Sequence, residues 1–257
     1  MNTYTSYQLI ARDIPKAIGQ VQTQPMVKRE TDYYLANIGK VKTIDDFVKD
    51  QRLFSYAMKA FGLGDMTYAR AFMVKALKEG IAETDSFANK LTDKRYAQFV
   101  AAFNFEQYGD AATDRVAAQQ GTVDKYMRQT LEEDAGKTNE GVRLALNFER
   151  KAGDITNWYD VLADRALSSV VRTVLGLPDS FATADIDKQA ALFESKLDIA
   201  DFTDPAKLSK FLGRFTTLYE INHPTSSAQT SVSILFAQPT TIGISTDLMI
   251  AMQNLRY

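Results

Sequence analysis

Few side chains in this 257-residue sequence could carry out chemistry. It has no cysteine and a single histidine, His223. That excludes disulfides, thiolate nucleophiles and cysteine-ligated metal centres. A hydrolytic triad would have to use His223, which lies between Asn222 and Pro224 in a turn. No Gly-x-Ser-x-Gly elbow is present to receive it as a general base. The Gly62-Leu-Gly64-Asp-Met-Thr67 loop has two glycines ahead of a helix, as a phosphate cradle would. It lacks a preceding strand, a third glycine and a following Gly-Lys-Ser/Thr, so it reads as a helix–helix turn. Asp198, Asp201 and Asp204 recur at every third residue, but without the central glycine and terminal glutamate of a calcium loop. Asp204, followed by Pro205, is better placed as a helix N-cap. Glu132, Glu133 and Asp134 are contiguous, whereas paired catalytic carboxylates face each other across a cleft. No catalytic, cofactor-binding or metal-binding residue is assigned from these patterns.

The aromatic candidates have structural readings. The one tryptophan, Trp158, sits at the start of a capped helix and reads as a core anchor. Tyr33-Tyr34 and the pairs Phe99/Phe103 and Phe211/Phe215 read as core stripes. The net charge of −2 offers no basic footprint for nucleic acid. No run approaches the length of a membrane span, and the opening residues resemble no cleavable signal peptide. A cytoplasmic location is expected, with export by a route that reads no such peptide left open.

The elements that position these residues carry the strongest signal in the sequence, an internal duplication. Val27–Leu63 aligns with Gly141–Leu177 at a shift of 114, without a gap. Arg29/Arg143, Gly39/Gly153, Asp46/Asp160, Asp50/Asp164, Leu53/Leu167, Ser55/Ser169, Gly62/Gly176 and Leu63/Leu177 are identical. The spacing predicts helices over Tyr4–Thr23, interrupted by Pro15, and over Met26–Ile38, closed by a left-handed Gly39. Thr43 and Asn157 are predicted N-caps of equivalent helices that run on to Phe61-Gly-Leu63 and Leu175-Gly-Leu177. Shorter helices follow over Thr67–Glu79 and Thr183–Leu197, then fourth helices from Thr92 and Asp204. A connecting helix over Asp110–Glu133 is predicted to exit through the polar Glu132–Lys137 stretch.

The expected fold is therefore all-α: two pseudo-duplicated four-helix units joined by a helical connector, with an uncharged tail. The boundaries are 1–25 for an N-terminal amphipathic helix, 26–105 and 140–220 for the units, 106–139 for the connector and 221–257 for the tail. From Ile221 onward only Asp247 and Arg256 are charged, and serine and threonine supply ten positions. Strand-like stretches around Gln238-Pro239 and a helix over Thr246–Leu255 are expected there. Such a segment needs cover from the body, a second copy or a partner.

Tyr33–Phe47, Ala69–Leu77, Ser86–Tyr96, Leu175–Asp179 and Asp201–Pro205 together resemble a bacterial domain family of unknown function. The resemblance spans nearly the whole chain. It implies a flagellar association, because genes of that family often lie among flagellar genes of Gram-negative bacteria. It implies no activity and no site residues.

The expectation for function is a non-catalytic structural or protein-interaction protein with a protein partner, plausibly flagellar. Self-association through the N-terminal helix and the tail would fit the uncovered apolar surface. The alternative is a small-molecule binding or sensor domain using a groove between the two helical units. Neither reading calls for a cofactor, a metal or nucleic acid.

Overall fold

The structure, a computed structural model, describes residues 2–224. The expected tail strands and the helix over Thr246–Leu255 lie outside the described residues. Among the described residues the chain is helical, with no strand. It begins with α1 (Thr3–Ala11), α2 (Ile14–Gln22) and α3 (Pro25–Ile38). Two short helices follow, α4 (Ile44–Lys49) and α5 (Gln51–Ala60), then α6 (Arg70–Glu79), α7 (Phe87–Lys90), α8 (Arg95–Ala102) and α9 (Phe105–Tyr108). The longest is α10 (Gln120–Thr138), followed by α11 (Glu140–Lys151), α12 (Trp158–Ala163) and α13 (Arg165–Val174). The last are α14 (Ile186–Lys196) and α15 (Pro205–Asn222).

Local chemistry sets most of these bounds. The N-terminal amphipathic stretch breaks at Arg12-Asp13, where the Asp13 side chain caps the Lys16 amide and Pro15 enters the first turn of α2. Thr43 and Asn157 cap α4 and α12 as expected, and Asn157 forms a capping box with Asp160. These helices are shorter than expected. Asp50 and Asp164 each leave the helical conformation to end one helix and cap the next, taking two amides apiece. Gly39 is right-handed, with φ of −68°, so it is not the left-handed terminator expected. The left-handed terminators are Gly62 at φ 71° and Gly176 at φ 69°. After each, a leucine amide reaches back to close the turn, Leu63 to Met58 at 2.8 Å and Leu177 to Arg172 at 2.9 Å. Helices α4 and α12, and α5 and α13, thus begin 114 positions apart and end 114 positions apart.

Residues up to Glu220 form one compact unit, and beyond it only Ile221–Pro224 are described. That unit holds two separate apolar cores. The first gathers Tyr34, Phe47, Phe54, Phe99 and Phe103, and the second Phe148, Trp158, Phe193, Phe202 and Phe215. Leu53 and Leu167 are both buried, one in each core. The predicted connector differs from expectation in two ways. Residues Gly109–Asp114 form a 3-10 turn rather than helix, and α10 supplies Val123, Tyr126, Met127 and Leu131 to the first core. Glu132–Lys137 lies within α10 and is not its polar exit.

The amphipathic stripe at the N-terminus is seated on this body. Tyr7 and Ile14 pack on the second core, Ile18 and Val21 on the first, and Ile10 on both. Close approach fixes the seat of α1. A Cβ on Gly141 would come within 2.4 Å of the Tyr219 ring and 2.8 Å of Thr3. The Thr3 amide donates to Glu220 at 2.9 Å, and Asn139 donates to the Thr3 hydroxyl at 2.9 Å.

Candidate functional site

Each core is apolar, but the seam between them is ionic. Asn139 alone separates α10 from α11, ending the first and capping the second through the Val142 amide. The reversal sets the two helices side by side and brings Glu132 of α10 against Arg150 of α11. Arg128 and Arg150 donate to Glu132 Oε1 at 3.1 and 2.6 Å. Arg150 and Asn147 donate to Oε2 at 2.8 and 3.3 Å. Glu132 is only 1% exposed, and burial works to raise its carboxyl. Arg150, Arg128 and Asn147 outweigh that and hold it below the usual carboxylate range. Arg128 also ties down the seam by donating to the Leu146 carbonyl at 2.9 Å.

A second acid beside this node behaves oppositely. Glu149 Oε2 lies 3.8 Å from Arg128 Nη2, too far for a hydrogen bond, and this oxygen accepts none. Burial raises its carboxyl above the usual range, against the pull of Arg128 and Tyr7. Tyr7 of α1 is itself raised by burial and by the Glu149 charge. The seam extends to Asp164, which accepts from Lys151 at 2.5 Å as well as from the amides it caps. On the first-core side, Asp93 chelates the Arg95 guanidinium, which also donates to the Gly62 carbonyl.

Beside the seam lies an open groove of about 620 Å³. Lys59 of α5 and Glu133 of α10 pair across it at 2.9 Å, with Asp65, Gln129, Gly136 and Arg143 around them. Both charge signs line it, and it suits a dipolar or zwitterionic guest more than a polyanion. Gly62 and Gly64 form part of its wall as the turn after α5.

The structure places the other candidates as follows. Asp198 and Asp204 cap the helices that follow them, and Asp201 pairs with Lys207 at 2.6 Å. Among the described residues no group of three or more potential ligands could hold a metal ion. Trp158 is buried edge-on against Phe193 and Phe202. Tyr34 stacks on Tyr56, which stacks on Tyr126 at 3.8 Å. Tyr33 donates to Asp50 under the Arg52 guanidinium. Phe99, Phe103 and Phe215 are fully buried and Phe211 partly. His223 is exposed just beyond α15. Of the acidic run, Glu132 became the centre of the seam, Glu133 pairs with Lys59, and Asp134 pairs with Lys137. Arg128 at i−4 was the available signal for Glu132. Arg150 lies 18 residues away and gave none.

These features define an all-α protein with two helical cores joined by a partly buried ionic seam. The chain belongs to the family described as "Protein of unknown function (DUF1217)", which matches residues 60–208. A crystallised protein from Agrobacterium tumefaciens is similar to it, with 52% identity and a TM-score of 0.81. The match covers 86% of this chain and 94% of that one. No curated protein matches the sequence. No helix among the described residues is long and apolar enough to cross a membrane.

Proposed function

We propose that this is a non-catalytic structural or protein-interaction protein, built on internally duplicated helical units and working in the cytoplasm in association with the flagellum. The observation that carries the non-catalytic part is the use made of its charged groups. Glu132, Arg150 and Asp164 are perturbed, but their partners are other groups of the seam, so their charge holds the two cores together. The duplication is supported by the matching bounds of α4 and α12 and of α5 and α13, and by the shared Asp caps and left-handed glycines. The flagellar setting rests on the family resemblance alone, and the cytoplasmic one on the cysteine-free composition. The test is binding of the purified full chain to isolated basal-body, hook and export components, paired with motility of a strain lacking the gene. Motility at wild-type level together with no binding would remove the flagellar assignment.

One observation favours a second reading as a small-molecule sensor: the groove is walled by α5 from the first core and by Arg143 of α11 from the second set of helices. A thermal-shift screen against zwitterionic metabolites tests it. A ligand whose stabilisation is lost in Lys59→Ala would support that reading, and a flat screen would count against it.

A further inference from the structure

A second groove, of about 580 Å³, runs along the outer side of α1 and α15. The two helices lie antiparallel, with Thr3 bonded to Glu220 and Tyr4 packed on Gly213. The lining carries Lys210 and Arg214 from α15 and no acidic residue. Neither cation has an ion-pair partner among the described residues. Arg12, which caps the end of α1, follows Tyr4 and Gln8 at helical spacing and is also exposed. Tyr4 is 45% exposed at the groove wall, so the groove combines an aromatic wall with unpaired positive charge.

A face of opposite character lies on α12 and α14. Tyr159 is 50% exposed and Ile186 51% exposed. The Tyr159 hydroxyl donates to Asp187 at 2.9 Å and stands in the field of Asp187, Asp185 and Glu194, all of which raise it. None of these carboxylates forms an ion pair among the described residues. With Asp187 and Glu194 beside this apolar pair, and Lys188 next to Asp187, the face is acidic overall and complementary in character to the basic, tyrosine-walled groove.

We propose that the α1–α15 groove of one copy receives the α12–α14 face of a second copy, giving a head-to-tail interface. Each copy keeps one groove and one face free when it pairs, so the contact is heterologous and propagates into a ring or a filament. This deepens the protein-interaction reading and is independent of the flagellar assignment, since self-association is measured on the purified chain alone.

Sedimentation velocity and light scattering on the untagged full chain test it, at about 50 mM and about 500 mM salt, where screening separates surface charge from apolar association. The expected result is concentration-dependent association at low salt, weakened at least about tenfold by K210E/R214E and likewise by D187K/E194K. Circular dichroism checks that each variant stays folded, and the milder K210Q/R214Q or D187N/E194Q replaces its counterpart if that one does not. Mixing the two reversed variants makes new complementary pairs and restores association, which a merely structural role for these residues would not do. A wild-type chain that stays monomeric at every concentration overturns the proposal, as does association indifferent to both reversals. Binding to phosphatidylglycerol vesicles, lost in K210E/R214E while the chain stays monomeric, would assign the groove to a lipid surface and overturn it too.

Discussion

Glu132 is buried and Glu149 half-buried beside Arg128, yet their proton affinities are displaced in opposite directions. The difference is geometric: Glu132 accepts four hydrogen bonds, whereas Glu149 Oε2 accepts none. The folded state lowers the Glu132 carboxyl below its ordinary value of 4.5, so ionised Glu132 stabilises the fold above that pH. That contribution is lost as pH falls through the lowered value. Glu132→Gln should cost about 3 kcal/mol at neutral pH, the low end for a broken buried pair because Arg150 is one-third exposed. The gap to wild type should close in acid, as measured by urea unfolding across pH. For Glu149 the sign reverses. Its folded value lies above 4.5, so the ionised form is penalised at neutral pH and the penalty disappears below 4.5. Glu149→Gln should therefore raise the melting temperature at pH 7 and lose that gain in acid. A lowered melting temperature at pH 7 would show that its attraction to Arg128 outweighs burial. Neither behaviour was legible in the sequence, because burial of an acid run depends on which distant helix arrives over it.

At the level of elements, the sequence disclosed caps better than breaks. Thr43, Asn157 and Asp204 were readable because an Asx or threonine side chain ahead of an apolar period has one favoured use. Asp50 and Asp164 were not, since an aspartate inside an apparently continuous helix also fits a solvated face. Replacing either by alanine should cost about 1 kcal/mol through the lost cap. The cost at Asp164 should be larger, since Lys151 is stranded with it. The glycines offer a cleaner pair. Gly176 and Gly62 share a left-handed φ, but a Cβ on Gly176 meets nothing within 4 Å, whereas on Gly62 it meets Arg95 at 3.4 Å. Gly176→Ala should lose about 1–2 kcal/mol from conformation alone. Gly62→Ala should lose that and also disturb the Arg95 bond to the Gly62 carbonyl. Thermal unfolding of both variants gives the comparison. Gly39 shows the limit of such reasoning: sequence marks a helix end but not its handedness.

At the scale of the whole molecule, two apolar cores share one ionic seam and one N-terminal strap, α1–α2. Coupling between the cores therefore runs through Glu132, Arg128 and Arg150, and through the apolar Ile10 of α1 and Ala135 of α10. Wild type should unfold in one calorimetric transition. Glu132→Gln should lower the van 't Hoff enthalpy relative to the calorimetric one, as each core begins to melt on its own. Coincident enthalpies in the variant would mean that the strap alone couples them. The all-α class and the 114-residue spacing of α4 and α5 with α12 and α13 were legible, because periodicity and caps are local. The separation into two cores was not, since it depends on α10 turning over at Asn139 to serve the first core while α11 serves the second.

The bond from Thr3 to Glu220 joins residues 217 positions apart. Translation delivers α1 before its seat on α11 and α15. At ribosomal speeds of about 5–20 residues per second, the apolar side of α1 waits roughly 10–40 s for its cover. Native contacts this distant in sequence slow folding. During that interval the uncovered apolar side of α1 is open to a holdase or to the same segment on a neighbouring polysome. Ribosome profiling of chaperone-bound nascent chains should show occupancy that begins once α1 has emerged and ends once α15 has left the exit tunnel.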